Sequence, residues 1–268
     1  MHSVWQICQF ELTRLFLTKR GGILLLAFAI IWFMIFKYPI LEASNILSNS
    51  SFGENVSAFS QQLNLQHLIE WNYGELAIYW LFAVFAFPIS AVLMSSDQIA
   101  SDANRGTLRF ILLRSSRNQL LFGRFLGQLL ILISLISMTL LTAFIMGITR
   151  DSSLAVGALD DAFFVGLNLL VISMPFIAVT SLLNIVLKSS KLSIVMIIIV
   201  LPIFHGLISY LSYFHQSLEH LLLILPGIQL IDSVQMPHIE LSATTMVPLI
   251  QTVIYLTAAQ FLLARRAL

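Results

Sequence analysis

The chain has a single cysteine, Cys8, among its 268 residues, so neither a disulfide framework nor a cysteine-based metal site can be built from it. Charge is scarce as well. Asp, Glu, Lys and Arg make up 10% of the residues, against about 25% in an ordinary soluble domain, which leaves too little polar surface to cover a folded chain of this size in water. The formal net charge of +1 gives no cationic surplus for a nucleic acid partner. Twelve Gly and seven Pro are too few for a collagen-like or low-complexity chain. Catalytic and nucleotide motifs are missing too: the sequence contains no GxxxxGKS or GxxxxGKT, no GxSxG and no HExxH.

What the sequence has in abundance is apolar length. Hydrophobic residues reach 58% and the mean hydropathy is +0.92. About 20 mainly apolar residues cross a bilayer core as a helix, and six runs meet that test: Gly22 to Pro39, Glu75 to Ser95, Phe125 to Ile148, Phe163 to Leu187, Leu192 to Phe214 and Met246 to Ala264. The runs are continuous instead of alternating, which argues against a β-barrel. An all-α polytopic membrane protein with one transmembrane domain over 1–268 is expected. The first run reads as an uncleaved span. It follows 21 residues, and a cut after Ala43 would put Leu41 where a signal peptidase needs a small side chain.

Lys and Arg near span ends stay on the cytoplasmic side. With both termini there, Arg14, Lys19, Arg20, Arg105, Arg109, Arg114, Arg117, Arg124, Lys188, Lys191, Arg265 and Arg266 are cytoplasmic, twelve of the fourteen cations, against Glu11, Asp97 and Asp102. Lys37 and Arg150 remain outside with the other ten acids. This sorting supports a cell-membrane (inner-membrane) protein with both termini cytoplasmic.

Three stretches stand apart from the spans. In Ser3 to Arg20, Trp5, Cys8, Leu12, Leu15 and Phe16 recur at helical spacing opposite Gln6, Gln9, Thr13 and Arg14, which predicts an amphipathic helix on the cytoplasmic leaflet, carrying Glu11 as well, with Lys19 and Arg20 at the lipid headgroups. Outside, Gln61 to Tyr73 reads as a short interfacial helix. Leu218 to Ile231 is apolar but only 14 residues long and broken at Pro226–Gly227, so it reads as a re-entrant or interfacial segment before the sixth span. His215, Glu219, His220, His238 and Glu240 lie on the same side. With no tight ligand pair among them, no metal site is expected. Within the spans, His205, Asn168 and Asn184 should face helix neighbours or a cavity, and Pro88, Pro175 and Pro202 interrupt three helices.

The connection from Ser96 to Arg124 is the richest in pattern. Asp97 to Ala103 reads as a helix leaving the second span, Arg105–Gly106–Thr107 breaks it, and a second helix starts near Leu108. Gly106 supplies a tight or left-handed turn and Thr107 a cap. The run DQIASDANRGTL from Asp97 to Leu108, then Ser115-Ser116-Arg117, then LFGRFLG from Leu121 to Gly127 resembles permease subunits of ABC exporters of the type-2 class. It resembles particularly the short six-span kind, similar to the copper-site maturation permease of nitrous oxide reductase systems. Two positions depart from that pattern: Asn104 stands where a second acid is common, and Arg124 where the family carries Lys.

The resemblance implies a coupling helix that docks on a separate ATPase subunit, with Asp97, Asp102, Arg105, Gly106, Thr107 and Arg117 at or near the contact. Arg114 and Arg117 are equally suited to lipid phosphates. It further implies two ATP-binding cassette ATPase subunits, which would hold the ATP and Mg, and a second permease, either another copy or a related chain. The translocation path would be lined by the second and fifth spans, with the broken segment around Pro226 and Gly227 as an outer lid. On this reading the chain has no cofactor or catalytic residue of its own, and its partners are proteins and membrane lipids. Two other readings compete: an intramembrane enzyme using the outer His and Glu residues, and an ATP-independent secondary transporter or assembly factor. The first needs acids within the spans. The second ordinarily carries an intramembrane charge or an internal repeat.

Overall fold

A computed structural model of the chain describes residues 2–41, 74–96, 106, 110–111, 113–150, 155–234 and 245–265. The interfacial helix expected at Gln61 to Tyr73 lies outside them. No strand occurs among the described residues. A helix over His2–Leu17 (α1) precedes six helices long and apolar enough to cross a bilayer: Lys19–Ile40 (α2), Gly74–Ser95 (α3), Arg117–Arg150 (α4), Ala155–Leu187 (α5), Ser190–Ser212 (α6) and, after two short pieces, Met246–Arg265 (α9). The short pieces, Glu219–Leu222 (α7) and Ile228–Val234 (α8), form the broken segment between α6 and α9.

Two helices start about eight residues ahead of their apolar runs, for different reasons. At α4, Ser116 and Gln119 cap one another: the Ser116 amide donates to Gln119 Oε1 at 2.9 Å and the Gln119 amide to Ser116 Oγ at 3.2 Å. This reciprocal box satisfies two otherwise orphaned donors and fixes the helix start. At α5 the polar first turns, including Asp160 and Asp161, continue the helix beyond the apolar stretch. At about 1.5 Å per residue, α4 is roughly 50 Å long, well beyond a hydrocarbon core of about 30 Å.

Proline acts differently at different sites. Pro39 lies within a wide helical turn at Phe36–Ile40, and Pro202 directly follows another at Met196–Val200. A proline ring displaces the carbonyl four residues earlier and removes a donor, and widening the turn relieves both. The helix runs through Pro88 and Pro175 with no change of type.

α5 is the centre of the bundle and packs on α9, α3 and α4. Two of its buried asparagines are held internally or by a neighbour: Asn168 donates to the Phe164 carbonyl at 2.9 Å, and the Asn184 amide reaches the Ser95 carbonyl at the end of α3. Rings of Phe28, Trp32 and Phe36 on α2 meet Tyr79 and Phe87 on α3. The helices alternate in direction. The start of α4 meets the end of α9, while at the other end Arg150, closing α4, pairs with Glu75 near the start of α3 at 3.2 Å. α6 is the least covered: 11% of its apolar stretch is buried, against 61% for α3 and α5.

Candidate functional site

A cavity of about 670 Å³ opens between α3 and α6, beneath the broken segment. Pro88 and Phe85 form one wall, Ile197, Pro202 and Gly206 the other, and Leu222, Pro226 and Gly227 the roof. The lining is apolar except at His205 and Ser209. His205 Nε2 is buried with no hydrogen bond of normal geometry among the described residues, and the imidazole lies against the backbone of Leu225 and Pro226 in the roof. Its volume falls within the range of small-molecule sites.

The roof is held from α9. Gln251 Nε2 donates to the Leu223 carbonyl at 2.7 Å and to the Leu225 carbonyl at 3.0 Å, and the Tyr255 hydroxyl donates to the Ile224 carbonyl. Three consecutive carbonyls freed by the helix break are thereby satisfied, as buried backbone requires. Pro226 ends the run and Gly227 turns the chain at φ +119°, a conformation that L side chains rarely adopt. On the far side, Trp80 Nε1 on α3 donates to the Ser233 carbonyl of α8 at 3.0 Å. Replacing Gln251 by Leu together with Tyr255→Phe should strand these carbonyls at about 1–3 kcal/mol each. The expected result is at least tenfold faster amide hydrogen exchange across 219–230, with α3 and α5 unchanged.

At the opposite end α1 lies along α4. Gly123 and Gly127 form a small-residue face: a Cβ at Gly123 would stand 2.9 Å from Ile7 Cβ, and one at Gly127 2.9 Å from Glu11 Cβ. This is the close approach that two glycines four apart permit. The face of α1 turned to α4 holds Cys8, Glu11 and Leu15. Trp5 and Phe16, predicted to share the apolar face with Cys8, point outward, 53% and 46% exposed. Glu11 is instead buried beside Arg124, with Arg124 Nε 3.7 Å from Glu11 Oε1 and both side chains 2% exposed. Arg14 approaches the same carboxylate at 3.8 Å. Burial and the Glu11 carboxylate both push the Cys8 thiol up.

Of the residues expected at the coupling contact, Asp97, Asp102, Arg105 and Thr107 lie outside the described residues. Gly106 is exposed and adopts φ +71°, the left-handed turn its sequence position implied. Beyond it Phe110 and Leu113 are 72% and 82% exposed. Arg117 turns back into the bundle: its Nη1 donates to the Leu263 and Ala264 carbonyls at 2.8 Å each, capping the last turn of α9. The reciprocal box that starts α4 and the glycine pair that seats α1 were both legible as spacings, S-x-x-Q and G-x-x-x-G. The Glu11–Arg124 contact was not, because it joins residues from separate helices.

Among the described residues no three His, Cys, Asp or Glu side chains gather to hold a metal. The sequence model of the ABC-2 family transporter proteins matches residues 6–265. The chain belongs to the ABC-2 transporter family. No curated protein matches the sequence. Family membership makes this ABC-2 protein a permease subunit, a membrane transport component without catalysis of its own, and its match extends from α1 to the end of α9.

Proposed function

We propose that this ABC-2 permease forms half of the translocation path of an ATP-driven exporter. It would pair with a second copy or a related permease above two ATPase subunits, which bind the ATP and Mg. The observation that carries this reading is the cavity between α3 and α6 under a hydrogen-bonded roof. Its α6 wall is largely uncovered, as suits a path completed by a second permease. The apolar lining with a single imidazole favours an amphipathic cargo. The end carrying both termini faces the cytoplasm on the positive-inside pattern, which places the broken segment outside as the lid.

The contact with the ATPase is assigned to the segment around Gly106, with Asp97, Asp102, Arg105 and Thr107 beside it. Exposed Phe110 and Leu113 supply apolar anchors for a groove on the partner, and Arg117 ties the segment to α9. Nucleotide-driven closure of the ATPases would then bias the spans through differential binding to two conformations.

Affinity purification in mild detergent, with mass spectrometry and an ATPase assay, tests the assembly. A stoichiometric ATPase bearing a Walker motif is the expected companion. Gly106→Val meets no neighbour within 4 Å but strains a left-handed residue by about 1–2 kcal/mol. It should cut ATPase co-purification about tenfold while leaving the amount of permease in the membrane unchanged. Recovery of the permease alone, without ATPase activity, would overturn the coupling assignment.

A further inference from the structure

A second cavity, of about 440 Å³, lies at the α1 end of the bundle. Its lining is of two kinds. Cationic and polar Arg14, Lys19, Arg20 and Thr18 occur together with apolar Leu24, Leu93 and Ile131. Thr18 caps α2, its hydroxyl accepting from the Gly21 amide at 3.1 Å, so the first turn of a 17-residue helix presents its amides and positive dipole end here. Among the described residues Glu11 is the one acid in the lining, and Arg124 and Arg14 stand beside it. The deciding side chain is Gln128, on α4. It is 95% buried, lines the cavity, and its amide makes no hydrogen bond among the described residues. The residue as a whole is buried, but its amide is not sealed off, so a polar group in the cavity can reach it.

The apolar run of α2 starts at Ile23, directly after the cationic turn, so polar and apolar lining meet where a headgroup meets its acyl chains. We infer that this cavity binds one anionic glycerophospholipid, its phosphate held by Lys19, Arg20 and the Gln128 amide and its acyl chain running along Leu24, Leu93 and Ile131. A free phosphate would use the cationic lining alone and leave the apolar part unfilled. The inference is independent of the export reading, because the two cavities share no lining residue.

The test uses the purified full chain and native mass spectrometry, with phosphatidylglycerol and phosphatidylcholine of matched chains in competition. Thermal melting with each lipid, and with inorganic phosphate, accompanies it. The wild type should retain phosphatidylglycerol preferentially and be stabilised by it alone. Lys19→Gln/Arg20→Gln should lower that preference by roughly tenfold or more, and Gln128→Leu, which alters no charge, should lower it too. Lys188→Gln/Lys191→Gln removes as much charge outside the cavity and should leave the preference intact. Equal loss in the two double variants would overturn the site in favour of general surface attraction. Retention in both the Lys19/Arg20 and the Gln128 variants would overturn it outright. Stabilisation by inorganic phosphate equal to that by the lipid would reduce it to a small-anion site and overturn the lipid assignment.

Discussion

Arg124→Leu is expected to lower the stability of the protein by about 3–5 kcal/mol, the usual result of leaving one member of a buried ion pair behind. Glu11 and Arg124 are each 2% exposed and stand 3.7 Å apart. Without the guanidinium, the carboxylate stays wedged between α1 and α4, with Arg14 approaching it at 3.8 Å on the half-buried rim. The double variant Glu11→Leu/Arg124→Leu should recover most of the loss, since an apolar pair of similar volume is often no worse than a buried ionic one. Unfolding in a detergent and denaturant series, run on the two single variants and the double, checks this. Additive losses would show that the two charges act separately.

Gly21→Ala should have an effect of comparable size for a different reason. An added Cβ would lie 2.0 Å from the Leu15 carbonyl oxygen and 2.7 Å from that of Arg14. Both obstacles are backbone, so no rotamer change relieves them, and α1 must leave its seat on α4. Overpacking of this kind costs about 3 kcal/mol, which is on the order of a hundredfold in the opening equilibrium of α1. Cys8 reports it directly. It is the only thiol in the chain and is 2% exposed, so maleimide labelling of the native protein should be slow and that of Gly21→Ala about a hundredfold faster. The pH dependence has a definite sign. Because burial raises the docked thiol, docking is favoured below the ordinary thiol range and weakens as pH rises through and above it. Labelling of the wild type should therefore keep accelerating where that of an exposed thiol has levelled off.

The six spans, though not the starts of α4 and α5, were readable because membrane helices advertise themselves by length and hydropathy, which need no partner. Faces were harder. The periodicity of α1 grouped Trp5 and Phe16 with Cys8 and Leu15, yet lipid and protein interior are both apolar, and hydrophobicity alone does not tell which of them a side chain meets. The buried Glu11 marks the protein side, where it meets Arg124 from another helix. The roofed cavity shows the same division. Pro226–Gly227 announced the break and the expected path lay along α3 and α6, but nothing in the sequence joined Gln251 and Tyr255 to the three carbonyls released there.

α9 touches both ends of the molecule through hydrogen bonds to main-chain carbonyls. Near its start Gln251 and Tyr255 grip the carbonyls of the roof, and at its finish its own Leu263 and Ala264 carbonyls are gripped by Arg117. About 20 Å of helix separates Gln251 from Ala264. A helix is stiff along its axis, so α9 acts as a connecting rod whose two bearings are the roof of the cavity and the root of α4. Any shift that rotates the root of α4 would reach the roof through one rigid part, without having to pass sideways through the packed core.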